Sequence, residues 1–198
     1  MKNLIIISVF LFTHLIANAQ SENDTIDLAN INVELIENMF YEKLNSFRKE
    51  KGMPTYIIDP ISIMTAEYNN LHYLTYNVLR DGHLHLNAEP VNGLILNTQQ
   101  DRLNYFSGIL RYSERDKVVE YSDCWSECSM NGTYKEYVDD FCAWIQKDMD
   151  SEIGYGAGGK YIGVKFSFKS NIDLYSNGHL FPDIVTTVTL SKDAYNAN

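Results

Sequence analysis

The amino-acid sequence predicts an α+β domain, and the order of its helical and extended segments carries the prediction. Amphipathic helical patterns occupy residues 33–51 and residues 134–149, and a third such pattern begins at Pro60. Runs rich in β-branched and aromatic residues follow at 161–168 and 183–191. Helices that come first, with an antiparallel strand pair at the end, are typical of α+β folds, and these helices suffice to cover two faces of a sheet.

The first helix is predicted over 33–51, where apolar residues recur at helical spacing, acidic residues come early and basic residues come late. Gly52 follows at the position where a left-handed residue closes the last turn of a helix. Pro54 disfavours helix at Met53, and the apolar run 56–58 is therefore predicted to be a short extended link.

The second helix is predicted to begin at Asp59-Pro60, which supplies an N-cap side chain and a proline at the first helical position. Its apolar residues recur mostly at three- and four-residue steps and should face a core; they are Ile61, Met64, Ala66, Leu71, Leu74, Val78 and Leu79. The segment 80–90 is rich in turn residues, and the apolar patch 91–97 is either a short strand or a packed loop.

The middle of the chain is predicted to hold a short helix, a strand and a third long helix. Thr98, with Asp101 three residues later, predicts a capped helix that ends at Phe106. Weak alternation of polar and apolar residues predicts a strand at 117–122. The helix at 134–149 gathers its apolar residues on one face, namely Tyr137, Val138, Phe141, Trp144 and Ile145.

Two turn-rich segments are predicted to connect the later elements. The glycine-rich segment 154–159 follows a helix and precedes a strand, the reverse of the strand-loop-helix order that binds phosphate, so it is predicted to be a flexible connection. Asn177-Gly178 predicts the turn between the last two strands.

The first nineteen residues are typical of a secretory signal peptide. Lys2 precedes an apolar run at 4–12 that is too short to span a membrane, and Ala17-Asn18-Ala19 is a small-residue cleavage site. Cleavage after Ala19 would leave a loosely held polar arm at 20–32 and a single domain at 33–198. We therefore expect a secreted or periplasmic protein without a membrane span.

Composition narrows the class of partner. The chain carries 26 acidic and 16 basic residues, which disfavours nucleic acid and anionic membrane surfaces. Aromatic residues make up 13% of the chain and 14 of them are tyrosines. Either several tyrosines line a cleft or surface that binds glycan, peptide or lipid, or they are the half-exposed tyrosines of an ordinary domain.

The cysteine count is odd, so at most one intramolecular disulfide can form among Cys124, Cys128 and Cys142. Cys124 and Cys128 are close enough to pair locally, whereas a Cys128–Cys142 bridge would tie the loop to the following helix. We favour a bridge that involves Cys128. Zinc at Cys124-x-x-x-Cys128 would need two further ligands, and none stands at a suitable spacing, so neither a metal nor another cofactor is predicted.

One stretch resembles the CAP superfamily, which comprises the cysteine-rich secretory, antigen 5 and pathogenesis-related proteins and their bacterial SCP-like relatives. The resemblance is carried by Asn45-x-x-Arg48-x-x-x-Gly52-x-Pro54, then Asp59-Pro60, then Ala66 in a helix and a histidine after it. A later helix with Trp144, the segment 161–164 at the start of a strand, and a last strand are also similar. The resemblance implies a three-layer α-β-α sandwich over roughly residues 33–191.

His83-Leu84-His85 is the sharpest candidate for chemistry. In an extended segment, residues two apart point to the same side, so both imidazoles would reach one metal or one ligand. Two ligands alone make a weak metal site. The alternative is a pair of solvated loop histidines.

CAP relatives often carry a cleft with two histidines and two acidic residues that can hold a divalent ion. His85 matches the first histidine, and the family's Gly-Glu-Asn falls on 108–110, where Ile109 replaces the glutamate. The second histidine falls near Asp150, and the remaining acidic position matches Glu136 or Asp139. Two positions are therefore altered, and we expect a ligand-binding cleft formed by His83, His85, Glu136 and Asp150 without a metal.

The sequence leaves three functions open. We favour non-enzymatic binding of a small ligand, a peptide, a glycan or an envelope protein. The alternative is a secreted hydrolase that acts on peptide or cell-envelope material, with His85 and a carboxylate such as Glu136 or Asp150. No catalytic triad is visible, because Ser107 lacks a nucleophile elbow and Cys142 lies in an amphipathic helix. The third possible function is that of a scaffold protein in the cell envelope.

Overall fold

The computed structural model describes residues 20–27, 29–76, 91–125, 132–149, 158–169 and 183–194. In chain order the elements are α1 (Val33–Glu50), β1 (Ile57–Ile58), α2 (Pro60–Tyr76), α3 (Gln99–Leu110), β2 (Arg115–Trp125), α4 (Tyr134–Met149), β3 (Tyr161–Lys169) and β4 (Asp183–Asp193). The predicted α+β class is confirmed. No helix in these residues combines the length and the apolar character that crossing a membrane requires. The signal peptide at 1–19 and the turn at Asn177-Gly178 lie outside the described residues.

The four strands form one mixed sheet in the order β1-β3-β4-β2. The predicted antiparallel pairing of the last two strands is confirmed, and β2 adds to β4 in the same sense. The short link at 57–58 pairs in parallel with the start of β3. β2 is longer than predicted because a bulge between Lys117 and Val119 shifts its register and interrupts the alternation that would have marked the strand.

One face of the sheet is apolar and is covered by α1 and α4. Alternate residues of β3 and β4 point to this face and pack in one core with both helices; the core includes Phe40, Leu44, Val138, Phe141, Ile145, Val164, Phe166, Val188 and Leu190. Phe40 lies edge-on to Phe141 at 5.3 Å between ring centroids. This core carries most of the hydrophobic burial of the domain.

The opposite face is largely polar and is covered by α2 and α3. The prediction that α2 packs through an apolar stripe is wrong in part, because Leu71 is 38% exposed. The α2 residues turned to the sheet are Ser62, Thr65, Asn69 and Asn70, all buried. Ile61 and Tyr68 instead pack sideways with Leu103 and Phe106 of α3. Val78 and Leu79 lie outside the described residues.

Side chains of α1 continue the sheet where β1 is too short to do so. The Tyr41 hydroxyl accepts from the Val164 amide at 3.0 Å and donates to the Val164 carbonyl at 3.4 Å. The Glu37 carboxylate accepts from the Phe166 amide at 3.1 Å. These bonds satisfy edge groups of β3 that would otherwise be buried without partners.

Two glutamine side chains of α3 form hydrogen bonds with backbone groups at the bulge in β2. Gln100 donates to the Arg115 carbonyl at 2.7 Å and accepts from the Lys117 amide at 2.9 Å. Gln99 donates to the carbonyls of Val119 at 3.2 Å and Leu190 at 3.3 Å. Both long edges of the sheet are thus partly covered by side chains.

The predicted end of α1 and the predicted start of α2 are confirmed. Gly52 has φ +70° and donates to Lys49, while Met53 donates back to Arg48, the pattern of a left-handed helix closure. Asp59 accepts from the Ser62 amide at 3.0 Å.

The structure also gives the bounds of the short helix α3 and the conformation of the segment before it. Thr98 and Asp101 form a capping box, but α3 runs to Leu110 because Arg111, at φ 57°, closes it later than Phe106. The patch at 91–97 is a packed loop, with a turn between Val91 and Leu94 rather than a strand.

The prediction of a loose arm at 20–32 is wrong for its described residues. The Tyr134 amide donates to the Asp24 carbonyl at 3.2 Å, and the Lys135 amide donates to the Glu22 carbonyl at 2.8 Å. Ile26 is 5% exposed and belongs to the main core. The arm is held because it satisfies the first N–H groups of α4, which have no partner within the helix.

Candidate functional site

Of the four residues predicted to line a cleft, only Glu136 is among the described residues; His83, His85 and Asp150 lie outside them. Glu136 sits in the first turn of α4 and its carboxylate accepts from the Thr133 amide at 2.8 Å. The Glu136 amide in turn donates to the Thr133 hydroxyl at 3.2 Å. This reciprocal pair caps α4, so the carboxylate already has a structural partner.

The residues on either side of the histidine segment belong to one packed unit. α2 is described to Tyr76, and the chain is described again from Val91, which is buried against the α2–α3 cluster. The Tyr68 hydroxyl donates to the Leu94 carbonyl at 2.7 Å and accepts from the Leu96 amide at 3.2 Å. The described residues on both sides of 77–90 therefore lie beside α2.

A polar layer lies between α2 and the sheet; we use this name for Asn69, Asn70, Ser122, Ser167 and Thr187. The Asn69 amide group donates to Ser122 at 2.9 Å and to Thr187 at 3.1 Å. The Asn70 amide group donates to Ser167 at 3.0 Å and also to the carbonyl of Lys165 at 2.9 Å. The Asn70 Oδ1 atom is buried without a hydrogen-bond partner. The layer thus consists of two hydrogen-bonded groups, one around each asparagine, and the Asn70 group contains an unsatisfied acceptor.

A buried ion pair lies on the same face of the sheet. Arg102 Nη2 of α3 and Glu120 Oε1 of β2 are 2.5 Å apart, and their side chains are 7% and 15% exposed. Thr189 donates to the other Glu120 oxygen at 3.1 Å. Burial raises the pKa of Glu120, and the opposing effects of Arg102 and Thr189 only partly offset it. Arg102 Nε has no hydrogen-bond partner.

Sequence reasoning missed this pair. A single glutamate in a weakly alternating strand is more simply interpreted as solvent-facing, and the arginine stands in a short helix of mixed character. The available signal was the spacing of Glu120 and Ser122, which places both side chains on one face of β2.

A second buried arginine, Arg115, connects several elements at the other end of the sheet. Arg115 Nη2 lies 3.5 Å from Asp59 Oδ1, and Nη1 lies 3.8 Å from Asp193 Oδ1. The Arg115 guanidinium stacks 4.1 Å from the centroid of the Tyr161 ring. Since Asp59 caps α2, this cluster fixes the helix start against three strands. Its geometry is that of a structural clamp.

Three residues that carry the resemblance to CAP proteins lie where α1 joins the extended link: Asn45, Arg48 and Pro54. The Tyr56 amide donates to Asn45 Oδ1 at 2.7 Å, and Arg48 Nε donates to the Pro54 carbonyl at 2.5 Å. The Arg48 guanidinium stacks 4.0 Å above the Tyr56 ring. We call this arrangement the link clamp: Asn45, Arg48, Pro54 and Tyr56. It fixes the extended link to the end of α1.

The cysteine and tryptophan of α4 differ in burial. Cys142 is a free, buried thiol, so the Cys128–Cys142 bridge is not formed; Cys128 and the Cys124 side chain lie outside what the structure describes. Burial raises the pKa of Cys142 to about 12, which makes it a packing residue. Trp144, predicted on the buried face, is 49% exposed and stacks on Phe141 at 5.5 Å.

Two further features bear on the metal site that the resemblance describes. Ile109, at the position that the resemblance matches with the CAP glutamate, is 53% exposed near the end of α3. Within the described ranges, no group of three or more His, Cys, Asp or Glu side chains is arranged to hold a metal ion.

Comparison with known proteins found no matching family model and no matching curated protein.

Proposed function

We propose that this protein is an exported, divergent CAP/SCP-like domain whose cleft near His83 and His85 binds a ligand without catalysing a reaction. The link clamp is the observation that supports the family proposal most directly. Asn45, Arg48 and Pro54, which carry the resemblance, act together at one joint of the fold. Spaced motif residues that share one structural task are harder to obtain by chance than isolated matches.

The arrangement of the elements is compatible with the same proposal. Helices lie on both faces of a four-stranded mixed sheet, as the three-layer α-β-α sandwich of the family requires. Fold alone does not define an activity, so the function must be argued from the cleft residues.

Binding is favoured over catalysis because the acidic positions that the resemblance assigns to the cleft, where the structure describes them, are altered or already paired. Ile109 offers no ligand or proton-transfer group, and Glu136 caps α4. Glu120, a buried carboxylate missing from the sequence-based site, is paired with Arg102. A general base needs an accessible carboxylate or imidazole within reach of substrate. A neutral peptide or glycan that stacks on tyrosines and is oriented by the two imidazoles fits this chemistry better.

Histidine NMR titration tests the proposal. A chitin-type N-acetylglucosamine oligomer and an uncharged tripeptide serve as probes, and the ring signals of His83 and His85 are followed. We expect saturable shifts with one probe, loss of binding in the His83→Ala/His85→Ala variant, and retention in His179→Ala, the matched control. Cleavage of a probe that stops in His85→Ala would instead identify a hydrolase, and tight zinc binding that requires both histidines would contradict the loss of the metal site.

A further inference from the structure

The predicted signal cleavage after Ala19 would make Gln20 the first residue of the mature protein. An N-terminal glutamine can cyclise. Its α-amino nitrogen attacks Cδ of its own side chain, an N–Cδ bond forms and the Cδ–Nε2 bond breaks. The amine gives one proton to the departing nitrogen, which leaves as ammonia. The product is a lactam, pyroglutamate, and no oxidant or other reactant is consumed.

The structure holds the reacting amide of Gln20 at both of its polar atoms. Gln20 Nε2 donates to the Asn30 carbonyl at 3.0 Å, and the Tyr134 hydroxyl donates to Gln20 Oε1 at 3.2 Å. The Tyr134 hydroxyl also accepts from the amide of Asn32, the N-cap of α1, at 3.0 Å. Tyr134 is completely buried, so the Gln20 side-chain amide is hydrogen-bonded to a side chain that is held in place by the core.

The backbone after Gln20 is fixed as well. The carbonyls of Glu22 and Asp24 accept from the first two N–H groups of α4, and Ile26 inserts into the core. The Ser21 amide donates to Asp24 Oδ2 at 2.7 Å. Cyclisation requires the side chain to fold back toward the α-amino group, and it would remove the Nε2 atom that donates to Asn30. The docked arm opposes both changes.

We propose that Gln20 is a modification site protected by the fold: docking against Tyr134 and Asn30 keeps the mature N-terminus uncyclised, and opening of the arm releases it to form pyroglutamate. The proposal rests on the export that we propose above. Release of the arm is a local opening that does not require global unfolding of the domain.

Mass spectrometry of the N-terminal peptide tests the protection. The exported protein is purified and incubated under native conditions and in denaturant, and loss of ammonia from Gln20 is followed over time. We expect cyclisation under native conditions to be slower than in denaturant by roughly tenfold or more, which is the scale of protection that two modest hydrogen bonds supply. Tyr134→Phe should accelerate cyclisation in the native state. Tyr41→Phe, which removes another buried hydroxyl that bonds to Val164 and not to the arm, should not.

The outcomes separate this proposal from the proposed export. A mature chain that starts at Gln20 but cyclises equally fast folded and unfolded would overturn the protection and leave export intact. A mature chain that starts elsewhere would overturn the cleavage site. In that case, a chain released from an N-terminal tag so that it begins at Gln20 still tests the docking by the same comparison. Equal rates in the Tyr134→Phe and Tyr41→Phe proteins would also contradict the proposal.

Discussion

Gly163 of β3 lies directly against the backbone of Ser62 in the first turn of α2. A Cβ atom at Gly163 would come within 2.1 Å of the Ser62 carbonyl carbon and 2.2 Å of the Ile63 amide nitrogen. Backbone cannot move aside as a flexible side chain can, so this contact sets the distance between helix and sheet. It also explains why glycine stands between Ile162 and Val164, both buried.

Gly163→Ala should therefore be strongly destabilising. The methyl group would force α2 away from the sheet and stretch the polar layer, and we expect a loss of roughly 3 kcal/mol or more in the free energy of unfolding. Urea denaturation measures it. Gly108→Ala is the matched control, because a Cβ there meets nothing within 4 Å. As Gly108 lies in α3, that variant should be neutral or up to about 1 kcal/mol more stable. Similar stabilities for the two variants would show that the close contact is absent.

Asn70 should be the most sensitive residue of the polar layer. Its side-chain nitrogen donates to the carbonyls of Lys165 at 2.9 Å and Val185 at 3.3 Å, so Asn70→Ala leaves buried acceptors unpaired. We expect a cost of about 2–4 kcal/mol by urea denaturation. Glu67→Ala, on the exposed face of the same helix, should stay within about 0.5 kcal/mol.

Asn70→Asp provides a second, pH-dependent test of the same contacts. An ionised carboxylate cannot donate and would face two carbonyl oxygens, so at neutral pH this variant should be less stable than Asn70→Ala. Protonation of the new carboxyl restores a donor, and the gap should narrow as the pH falls. A gap that is independent of pH would mean that the Asn70 side chain does not donate to these carbonyls.

The sequence predicts the elements of this fold better than their contacts. Caps at Gly52, Asp59 and Thr98 are local and depend on side chains within a few residues, so they could be identified from the chain alone. The polar face of α2 could not, because its packing depends on which face of a distant strand is polar. For example, the Ser62 and Ser191 hydroxyl oxygens are hydrogen-bonded at 2.8 Å although the two residues are 129 positions apart in the chain.

The candidate site was less predictable still. The resemblance predicts Glu136 as a cleft residue, whereas its role as a helix cap follows from the same local rules that identify the other caps. Glu120 and Arg102 were missed because an ion pair between a strand and a helix leaves no mark on the spacing of either. Helical periodicity predicts Trp144 in the core, but periodicity does not show how far the sheet extends beneath the helix, and Trp144 is exposed.

Removal of the Tyr41 hydroxyl should loosen β3 at its edge. Tyr41→Phe keeps the ring but leaves the Val164 amide and carbonyl without this partner, which should cost about 1–3 kcal/mol. Hydrogen exchange of the Val164 amide should accelerate more than that of other β3 amides. Tyr112→Phe, at a side chain that is 53% exposed, is the control and should change neither quantity. Unchanged exchange at Val164 in Tyr41→Phe would contradict the edge contact.

Glu120 should make the protein less stable as the pH rises. Its pKa in the folded state is raised above the ordinary value of 4.5, chiefly by burial. The folded protein therefore binds more protons than the unfolded chain between 4.5 and the raised value, and stability falls with rising pH across that interval by up to about 1.4 kcal/mol per unit.

Comparison with Glu120→Gln isolates this contribution, because the other titrating groups are common to both proteins. The stability of the native sequence minus that of the variant, from urea denaturation at a series of pH values, should decrease as the pH rises above 4.5. A difference that stays flat or increases would show that Arg102 compensates the burial of Glu120 fully.

Cys142 should be unreactive in the folded protein although export would take it into an oxidising compartment. Burial raises its pKa to about 12, so the thiol stays protonated at pH 8, and the sulfur is not accessible. In a Cys124→Ser/Cys128→Ser variant, a thiol reagent should label Cys142 only as fast as the protein unfolds, with labelling that accelerates in urea. Rapid native labelling, or a Cys128–Cys142 disulfide found by peptide mass spectrometry of the unaltered protein, would contradict a buried free thiol in the core between α1 and α4.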